Sequence, residues 1–152
     1  MKIAHSIRLN VFSCENENGE IILESFLKFF PFNLEENKVK LNKTHAKGFN
    51  ESAIIIFETV LTKNNLINQF LDFVLNNLSQ KQKIIILNQM ESRLDDNLDF
   101  FIRFDKDEWI KNNKLELTDS GKCFHLKISV AAFPRRREVG LKIIRKIFNS
   151  ED

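Results

Sequence analysis

Apolar and polar residues alternate along three segments of the chain, at positions 3–11, 98–105 and 124–132. A period of two places successive side chains on opposite faces of a β-strand. The last segment shows the pattern most clearly, because every second residue is apolar: Phe124, Leu126, Ile128, Val130 and Ala132. We therefore predict three strands that each bury one face and leave the other at least partly in contact with solvent.

A further strand is predicted at residues 53–61, which are rich in β-branched residues and apolar on nearly both faces. A strand buried on both faces lies in the interior of a sheet, so we expect this one at its centre. Residues 37–42 predict a short additional strand, and residues 43–52 a polar connection. Residues 114–117 predict another short strand, joined in a hairpin to the last strand by turn residues: Thr118, Asp119, Ser120 and Gly121.

Apolar residues spaced three or four positions apart predict helices between these strands. The first covers residues 21–29 and ends before Pro31, because proline cannot continue a helix. The capping-box spacing of Ser79 with Gln82, repeated by Asp105 with Glu108, marks two helix starts. The remaining helices are expected at about 63–77, at about 80–90, in a short segment that carries Trp109, and from Pro134 to about Phe148.

This order of strands and helices predicts an α+β fold, in which helices pack on one face of an antiparallel-rich sheet. The chain has 152 residues, 43% of them hydrophobic, which suits a single α+β domain that we expect to span residues 1–150. The apolar runs are much shorter than the ~18 residues that a membrane-spanning helix needs, and residues 1–5 begin no signal peptide. We therefore expect a cytoplasmic protein without a membrane partner.

The basic residues are distributed unevenly. The net charge of the chain is +2, but residues 134–148 contain six lysines and arginines against one glutamate, so this segment carries +5 and the remainder −3. On a helical wheel most of these cations face away from the apolar residues. A local basic patch on a nearly neutral protein is typical of proteins that bind polyanions. The alternative is an ordinary solvated helix face, since cations near a helix C-terminus also complement its dipole.

Arg135, Arg136 and Arg137 stand together at the predicted start of the last helix. That end of a helix already carries a partial positive charge, so three arginines there need a compensating negative group. A bound phosphate suits the position, because guanidinium groups and free helix amides both bind phosphate oxygens. Acidic side chains from elsewhere in the fold could act instead, and the sequence leaves both alternatives open.

The polar faces of the predicted strands combine cations with aromatic rings. They carry four basic residues and have two rings nearby: Arg8, Arg103, His125, Lys127, Phe12 and Phe101. Cations for phosphates and rings for bases are the components of a surface that binds single-stranded nucleic acid. The chain has 15 phenylalanines and no tyrosine, so most rings must fill the core. Stacking on a base and packing in the core both remain open for Phe101.

Metal sites and catalytic sites have little support in the sequence. Cys14 and Cys123 lie far apart and the histidines are equally scattered, whereas zinc ligands usually occur at close spacing. We therefore expect reduced thiols and no metal. Asp95, Asp96 and Asp99 could hold magnesium in a nuclease, but Asp95, Asp96 and Asn97 are also an ordinary turn sequence. Because no glycine-rich phosphate loop or catalytic motif is present, we predict a protein that is not an enzyme and needs no cofactor.

Four short segments resemble a known family: residues 94–106 (LDDNLDFFIRFDK), 133–138 (FPRRRE), 48–50 (GFN) and 5–8 (HSIR). Together they resemble the archaeal family of RNA-binding proteins that are described as predicted exosome subunits. The resemblance implies an α+β fold similar to that of the large-subunit ribosomal protein that binds 5S ribosomal RNA.

The resemblance also implies which positions matter for function. The matching positions are the arginines that follow Pro134 and four others: Gly48, Arg103, Asp105 and Lys106. One departure concerns the residue after the Asp-Lys pair, where members of the family tend to have glutamine and this chain has Asp107 followed by Glu108. We expect the added negative charge to weaken a phosphate site at Lys106.

The sequence therefore predicts a non-catalytic RNA-binding protein that acts with partner proteins of exosome- or ribosome-related RNA processing. The expected phosphate contacts are Arg135, Arg136, Arg137, Lys142 and Arg145, extended by Arg103, Lys106, His45 and Lys47. The alternative is a protein-interaction or assembly domain without RNA affinity, such as a homodimer formed through an exposed strand edge.

Overall fold

The computed structural model describes residues 2–149, apart from the side chain of Phe49, and contains one five-stranded sheet. Residues 1 and 150, the two ends of the predicted domain, lie outside the described residues. The strands are β1 (Ala4–Cys14), β2 (Asn42–Lys47), β3 (Ala53–Leu61), β4 (Asp99–Asp105) and β5 (Cys123–Val130). Their order in the sheet is β2-β3-β1-β5-β4, and all neighbours are antiparallel.

Helices connect the strands and confirm the predicted α+β fold. They are α1 (Gly19–Leu27), α2 (Asn64–Asn76), α3 (Gln80–Asn88), α4 (Met90–Arg93), α5 (Lys106–Asn112) and α6 (Arg137–Phe148). The predicted capping box forms at the start of α3, where Ser79 and Gln82 bond each other's backbone amides. Among the described residues, no helix is long and apolar enough to cross a bilayer.

One face of the sheet is buried beneath the helices. The alternating apolar residues of β1, β4 and β5 lie on this face and are at most 1% exposed: Ile7, Leu9, Val11, Phe100, Ile102, Phe104, Phe124, Leu126 and Ile128. The apolar sides of α1, α2 and α6 pack against them. We call the opposite face of the sheet the open face, because its basic and aromatic side chains remain exposed or half-exposed: Arg8, Phe12, Phe101, Arg103, His125 and Lys127.

Aromatic packing holds the helices against β4 and β5. The ring of Phe29, just after α1, lies 4.7 Å from the ring of Trp109 and 5.1 Å from that of Phe124. The indole Nε1 of Trp109 donates a hydrogen bond of 2.7 Å to the carbonyl oxygen of Ser25, so its polar atom is satisfied in the core. The two strands that carry most of the open-face cations are therefore supported from behind by a dense aromatic core.

The centre of the sheet is β1, so the prediction that residues 53–61 occupy it is wrong. The strand formed by those residues, β3, is second from the edge. Its open-face side chains Ile54 and Ile56 are only half-buried. Apolar residues on both faces of a strand therefore do not identify the centre of this sheet.

The edge strand β2 lies at residues 42–47, where the sequence predicts a polar connection, while residues 37–41 form a turn and a loop. An edge strand that is largely open to solvent needs no apolar alternation, which explains why the pattern missed it. The hairpin predicted at residues 114–121 does not form either. In that segment Leu117 makes only an isolated bridge to Phe104 of β4.

The last helix begins at Arg137, three positions later than predicted, with Arg136 as its N-cap residue. Pro134 therefore precedes the helix instead of opening it. The end of α6 at Phe148 agrees with the prediction.

Candidate nucleic-acid interface

The strand register brings the predicted polar-face cations together on the open face. Side chains of directly paired residues lie on the same face of a sheet. One row of paired residues runs across β4, β5, β1 and β3: Arg103, His125, Asn10 and Glu58. The neighbouring row runs across β4, β5 and β1: Phe101, Lys127 and Arg8. The four basic residues that alternation predicts for the polar strand faces therefore form one cluster.

An aromatic pair lies at the centre of this cluster. The rings of Phe101 and His125 are nearly parallel, with an interplanar angle of 6° and centroids 5.5 Å apart. Burial lowers the pKa of His125 from its ordinary value of 6.5, and the charges of Arg103 and Lys127 lower it further. The imidazole is therefore neutral near pH 7, so it stacks on Phe101 as an uncharged aromatic ring. Phe101 stacks on a protein side chain from the open face, so it is not a core residue of the buried face.

Two of the open-face cations form ion pairs within the described residues, and Arg103 does not. Arg8 Nε lies 3.8 Å from Glu58 Oε1, and Lys127 Nζ lies 3.7 Å from Asp99 Oδ2. Such long, partly exposed pairs offset charge only weakly. Arg103 forms no ion pair with any residue in the described range 2–149 and donates one hydrogen bond of 3.1 Å to the carbonyl oxygen of Asp119.

Arg93, which sequence reasoning missed, lies beside Arg103 in a depression of about 300 Å³. Its Nε and Nη2 atoms donate to Gln89 Oε1 at 3.0 and 2.6 Å, and Nη1 donates to the carbonyl oxygen of Phe101 at 3.1 Å. Burial lowers the pKa of this guanidinium, opposed by the charge of Asp119, but an arginine stays protonated near neutral pH. Arg93 is a single cation between the helix predicted at about 80–90 and the strand predicted from residue 98, so no sequence pattern marks it.

Acidic side chains of the described residues 2–149 do not neutralise the arginine triplet as a whole, although the sequence left that alternative open. Arg137 donates to the carbonyl oxygens of Leu94 at 2.9 Å and Glu91 at 2.5 Å. Arg135 donates to the carbonyl oxygen of Asn97 at 3.3 Å. Arg136 is the one member of the triplet with a carboxylate partner in the described part of the chain, Glu138 at 3.9 Å, and both side chains are mostly exposed. Backbone carbonyl groups therefore hold two of the three arginines without cancelling their charge.

Further cations line the outer side of α6. Lys142, Arg145 and Lys146 are exposed, while Ile143, Ile144 and Ile147 of the same helix are buried. This confirms the predicted amphipathic helix with a cationic outer stripe. We refer to Arg135, Arg136, Lys142 and Arg145 as the α6 cations.

Lys106 is not available at the surface, which corrects its place among the expected phosphate contacts. Its side chain is 3% exposed, and Nζ donates to the carbonyl oxygen of Phe12 at 2.6 Å. The same nitrogen lies 3.1 Å from Glu17 Oε1. Burial tends to raise the pKa of Glu17, but hydrogen bonds from the Cys14 amide and from Lys106 outweigh this effect and lower that pKa. The acid that pairs with Lys106 is thus Glu17, whereas Asp107 pairs with Lys122 at 3.4 Å.

His45 and Lys47 are exposed but lie far from the other expected contacts. Both belong to β2, at the opposite edge of the sheet from β4, so four strand spacings, or ~19 Å, separate them from Arg103. Lys43, on the same side of β2, pairs with Phe57, whose side chain is buried on the helix-covered face. The structure therefore does not bring His45 and Lys47 onto one surface with Arg103.

The acidic cluster at 95–99 is built into a turn. Asp95 Oδ1 accepts hydrogen bonds of 2.9 Å from the amides of Asn97 and Asp99. Asp99 Oδ1 accepts a hydrogen bond of 2.7 Å from Ser129 Oγ, and its other oxygen faces Lys127. Within residues 2–149, no group of three or more His, Cys, Asp or Glu side chains is arranged to hold a metal ion. The turn interpretation therefore accounts for Asp95 and Asp99.

This chain is similar to proteins of three archaea over nearly its whole length. RNA-binding protein PAB1135 of Pyrococcus abyssi is 26% identical over 98% of this chain and 96% of its own length. The crystal structure of protein AF2318 from Archaeoglobus fulgidus is 25% identical, with a TM-score of 0.84 over 95% of this chain and 99% of that one. Protein SSO0741 from Sulfolobus solfataricus is 26% identical, with a TM-score of 0.76 over 97% and 99% of the two chains.

A family model described as RNA binding matches residues 6–130, which include most of β1 and all of β2 to β5. The match covers well over half of the chain and agrees with the open-face cluster of cations and rings. This chain therefore belongs to the RNA-binding family that the model defines.

Proposed function

We propose that the protein binds RNA without catalysing a reaction on it, and that the α6 cations contact RNA phosphates. The exposed positive charge of the α6 cations supports this proposal. In the part of the chain that the structure describes, only one of the four α6 cations forms an ion pair. It is Arg136, whose contact with Glu138 is exposed and measures 3.9 Å. Exposed cations whose charge is not offset provide the sequence-independent part of nucleic-acid affinity.

The family supports RNA as the polyanion. The family model is described as RNA binding, and the P. abyssi relative is named an RNA-binding protein. The matched residues end at position 130, before Arg135, so support for the α6 cations comes from their geometry and charge.

Salt dependence of binding tests the phosphate contacts. If the four α6 cations each neutralise one phosphate of a single strand, log affinity falls against log salt with a slope of about −3. The double variant Lys142→Glu with Arg145→Glu should weaken binding and reduce that slope. The matched control, Lys111→Glu with Lys114→Glu, makes the same charge change at exposed positions near the other end of β4. Equal losses in the two double variants would contradict a specific role for α6.

The absence of catalysis is part of the proposal. It is supported by the use of Asp95 and Asp99 in a turn and in contacts to Ser129 and Lys127. Long incubation of RNA with the protein and magnesium should leave the RNA intact. Cleavage that disappears in Asp96→Ala would instead identify a nuclease.

Association with exosome- or ribosome-related RNA processing, and a cytoplasmic location, are finer parts of the same proposal and rest on the sequence resemblance. Crosslinking of the protein to RNA in its own cells, followed by sequencing of the RNA, tests the association. Recovery of messenger or ribosomal precursors supports the association, and recovery of no RNA contradicts it.

The competing candidate is an assembly domain that binds a second copy through an exposed strand edge. Light scattering before and after nuclease treatment separates the two functions. A nuclease-resistant dimer with no RNA affinity would favour assembly, whereas a monomer that binds RNA supports the proposal.

A further inference from the structure

Two depressions on the open face share Arg103 as a common wall. The first, about 200 Å³, is lined by Asn10, Phe12, Arg103, Gly121, Cys123 and His125. The second, about 300 Å³, is the one that contains Arg93. Sites for complete small molecules usually measure about 300–1,000 Å³, so the first depression is smaller than such a site and the second is at the lower limit. Each therefore suits one part of a larger ligand. We call them the ring depression and the arginine depression.

The ring depression combines two aromatic rings with the polar side chain of Asn10 and the shared wall of Arg103. Phe12 exposes 47% of its surface, although most phenylalanines of this chain are buried. His125 adds a second ring, which is neutral near pH 7 because burial and neighbouring cations lower its pKa. The Asn10 side chain supplies both a hydrogen-bond donor and an acceptor. These are the groups that hold an unpaired nucleobase by stacking and by contact with its polar edge.

The arginine depression carries a surplus of positive charge. Two guanidinium groups, Arg93 and Arg103, line it together with one carboxylate, Asp119. The Arg93 guanidinium is held by three hydrogen bonds to Gln89 and Phe101, so little side-chain freedom is lost when an anion binds. A planar, preorganised guanidinium next to a second one is suited to the oxygens of a phosphate.

We propose that the open face binds one unpaired nucleotide of an RNA strand, with its base in the ring depression and its phosphate in the arginine depression. This inference rests on the proposed RNA-binding function and adds the class of RNA and the residues that select it. Bases within a duplex are paired and stacked, so they cannot enter the ring depression. The open face therefore selects single-stranded RNA, whereas the α6 cations contact phosphates of either form.

Binding of two RNA probes tests the inference. One probe is a single strand of oligo(U), about ten nucleotides long, which matches the usual size of single-strand sites. The other is a blunt duplex of the same length. Phe12→Ala should weaken binding of the single strand by about 5- to 150-fold, the loss that corresponds to the stacking of one base, and should leave duplex binding unchanged. Arg103→Gln should weaken binding of the single strand as well.

A matched control separates stacking from the general effect of removing an exposed apolar side chain. Ile21→Ala on α1 removes a side chain that is 46% exposed, close to the 47% of Phe12, but lies outside both depressions. It should bind both probes like the wild type. Thermal unfolding of each variant confirms that it is folded, and the exposure of Phe12 means that its loss should be tolerated.

The possible results distinguish the inference from the function on which it rests. If the wild type binds RNA but Phe12→Ala and Arg103→Gln bind the single strand with unchanged affinity, the nucleotide site is wrong and the proposed function stands. If the wild type binds neither probe, both are wrong. Crosslinking with 4-thiouridine provides a second readout: attachment to the β1 or β5 peptide supports the inference, and attachment confined to α6 overturns it.

Discussion

Lys106, which is buried, and Glu17, which is partly buried, form an ion pair that joins the start of α5 to the loop after β1. Lys106 Nζ lies 3.1 Å from Glu17 Oε1 and also donates to the carbonyl oxygen of Phe12. The Cys14 amide donates to the same carboxylate at 2.9 Å. Because Phe12 belongs to the ring depression, this pair fixes the backbone from which that ring projects.

Removing Lys106 should destabilise the protein. Lys106→Met leaves a partly buried carboxylate and a backbone carbonyl without their donor, so we expect the free energy of unfolding to fall by about 2 to 4 kcal/mol. Chemical denaturation measures this change. The same substitution at exposed Lys111 is the control and should have almost no effect. An unchanged free energy of unfolding in Lys106→Met would contradict the structural role of this pair.

The stabilising contribution of Glu17 should depend on pH. Its pKa in the folded protein is lowered from the ordinary value of 4.5, so the unfolded chain binds a proton at a higher pH than the folded one does. The contribution is therefore complete above pH 4.5 and is lost as the pH falls through the folded pKa. Glu17→Gln should be less stable than the wild type at pH 7, and this difference should shrink below pH 4.5. A difference that stays constant down to pH 3 would contradict the assignment.

His125 should make the protein less stable in mild acid. Its folded pKa is lowered from 6.5, so the unfolded chain takes up a proton first as the pH falls below 6.5. Stability is then lost progressively until the folded imidazole is also protonated. His125→Gln should remove this part of the pH dependence, while the same substitution at exposed His45 serves as the control. Titration of the imidazole resonance by NMR checks the direction of the shift.

Arg137 should act mainly on stability, in contrast to its neighbours in the triplet. Its guanidinium bonds the carbonyl oxygens of Glu91 and Leu94, which links the start of α6 to the end of α4. We expect Arg137→Ala to lower the free energy of unfolding by about 1 to 3 kcal/mol, since hydrogen bonds to charged groups are lost. Arg135→Ala loses only one longer hydrogen bond, so it should be more stable than Arg137→Ala. It should, however, bind RNA more weakly than Arg137→Ala does. The reverse order of effects on stability and affinity would show that Arg137 is the phosphate contact.

The open face was largely predictable because it depends on local pattern. Alternation alone places Arg8, Arg103, His125 and Lys127 opposite the core, and the strand register then brings them together. The amphipathic character of α6 was predictable for the same reason, since the periodicity of a helix is visible in the sequence.

Contacts between distant residues were not predictable from pattern. The sequence pattern predicts that Lys106 is a surface cation. In the structure it is buried against Glu17, which lies 89 positions away in the chain. Arg93 becomes part of a site only because Gln89 and the Phe101 carbonyl hold it beside Arg103. The edge strand β2 was missed because a solvent-facing strand carries no apolar alternation, and only its pairing with β3 defines it.

The lysines of β2 affect whether two copies of this protein can pair through this edge of the sheet. If two β2 edges paired antiparallel about His45, Lys43 of one copy would stand directly opposite Lys47 of the other. Like charges at directly opposed positions are repulsive, and lysines on an exposed edge are a common means of preventing edge-to-edge pairing. This end of the sheet is thus protected against self-extension, so aggregation through strand addition is disfavoured when the protein is concentrated.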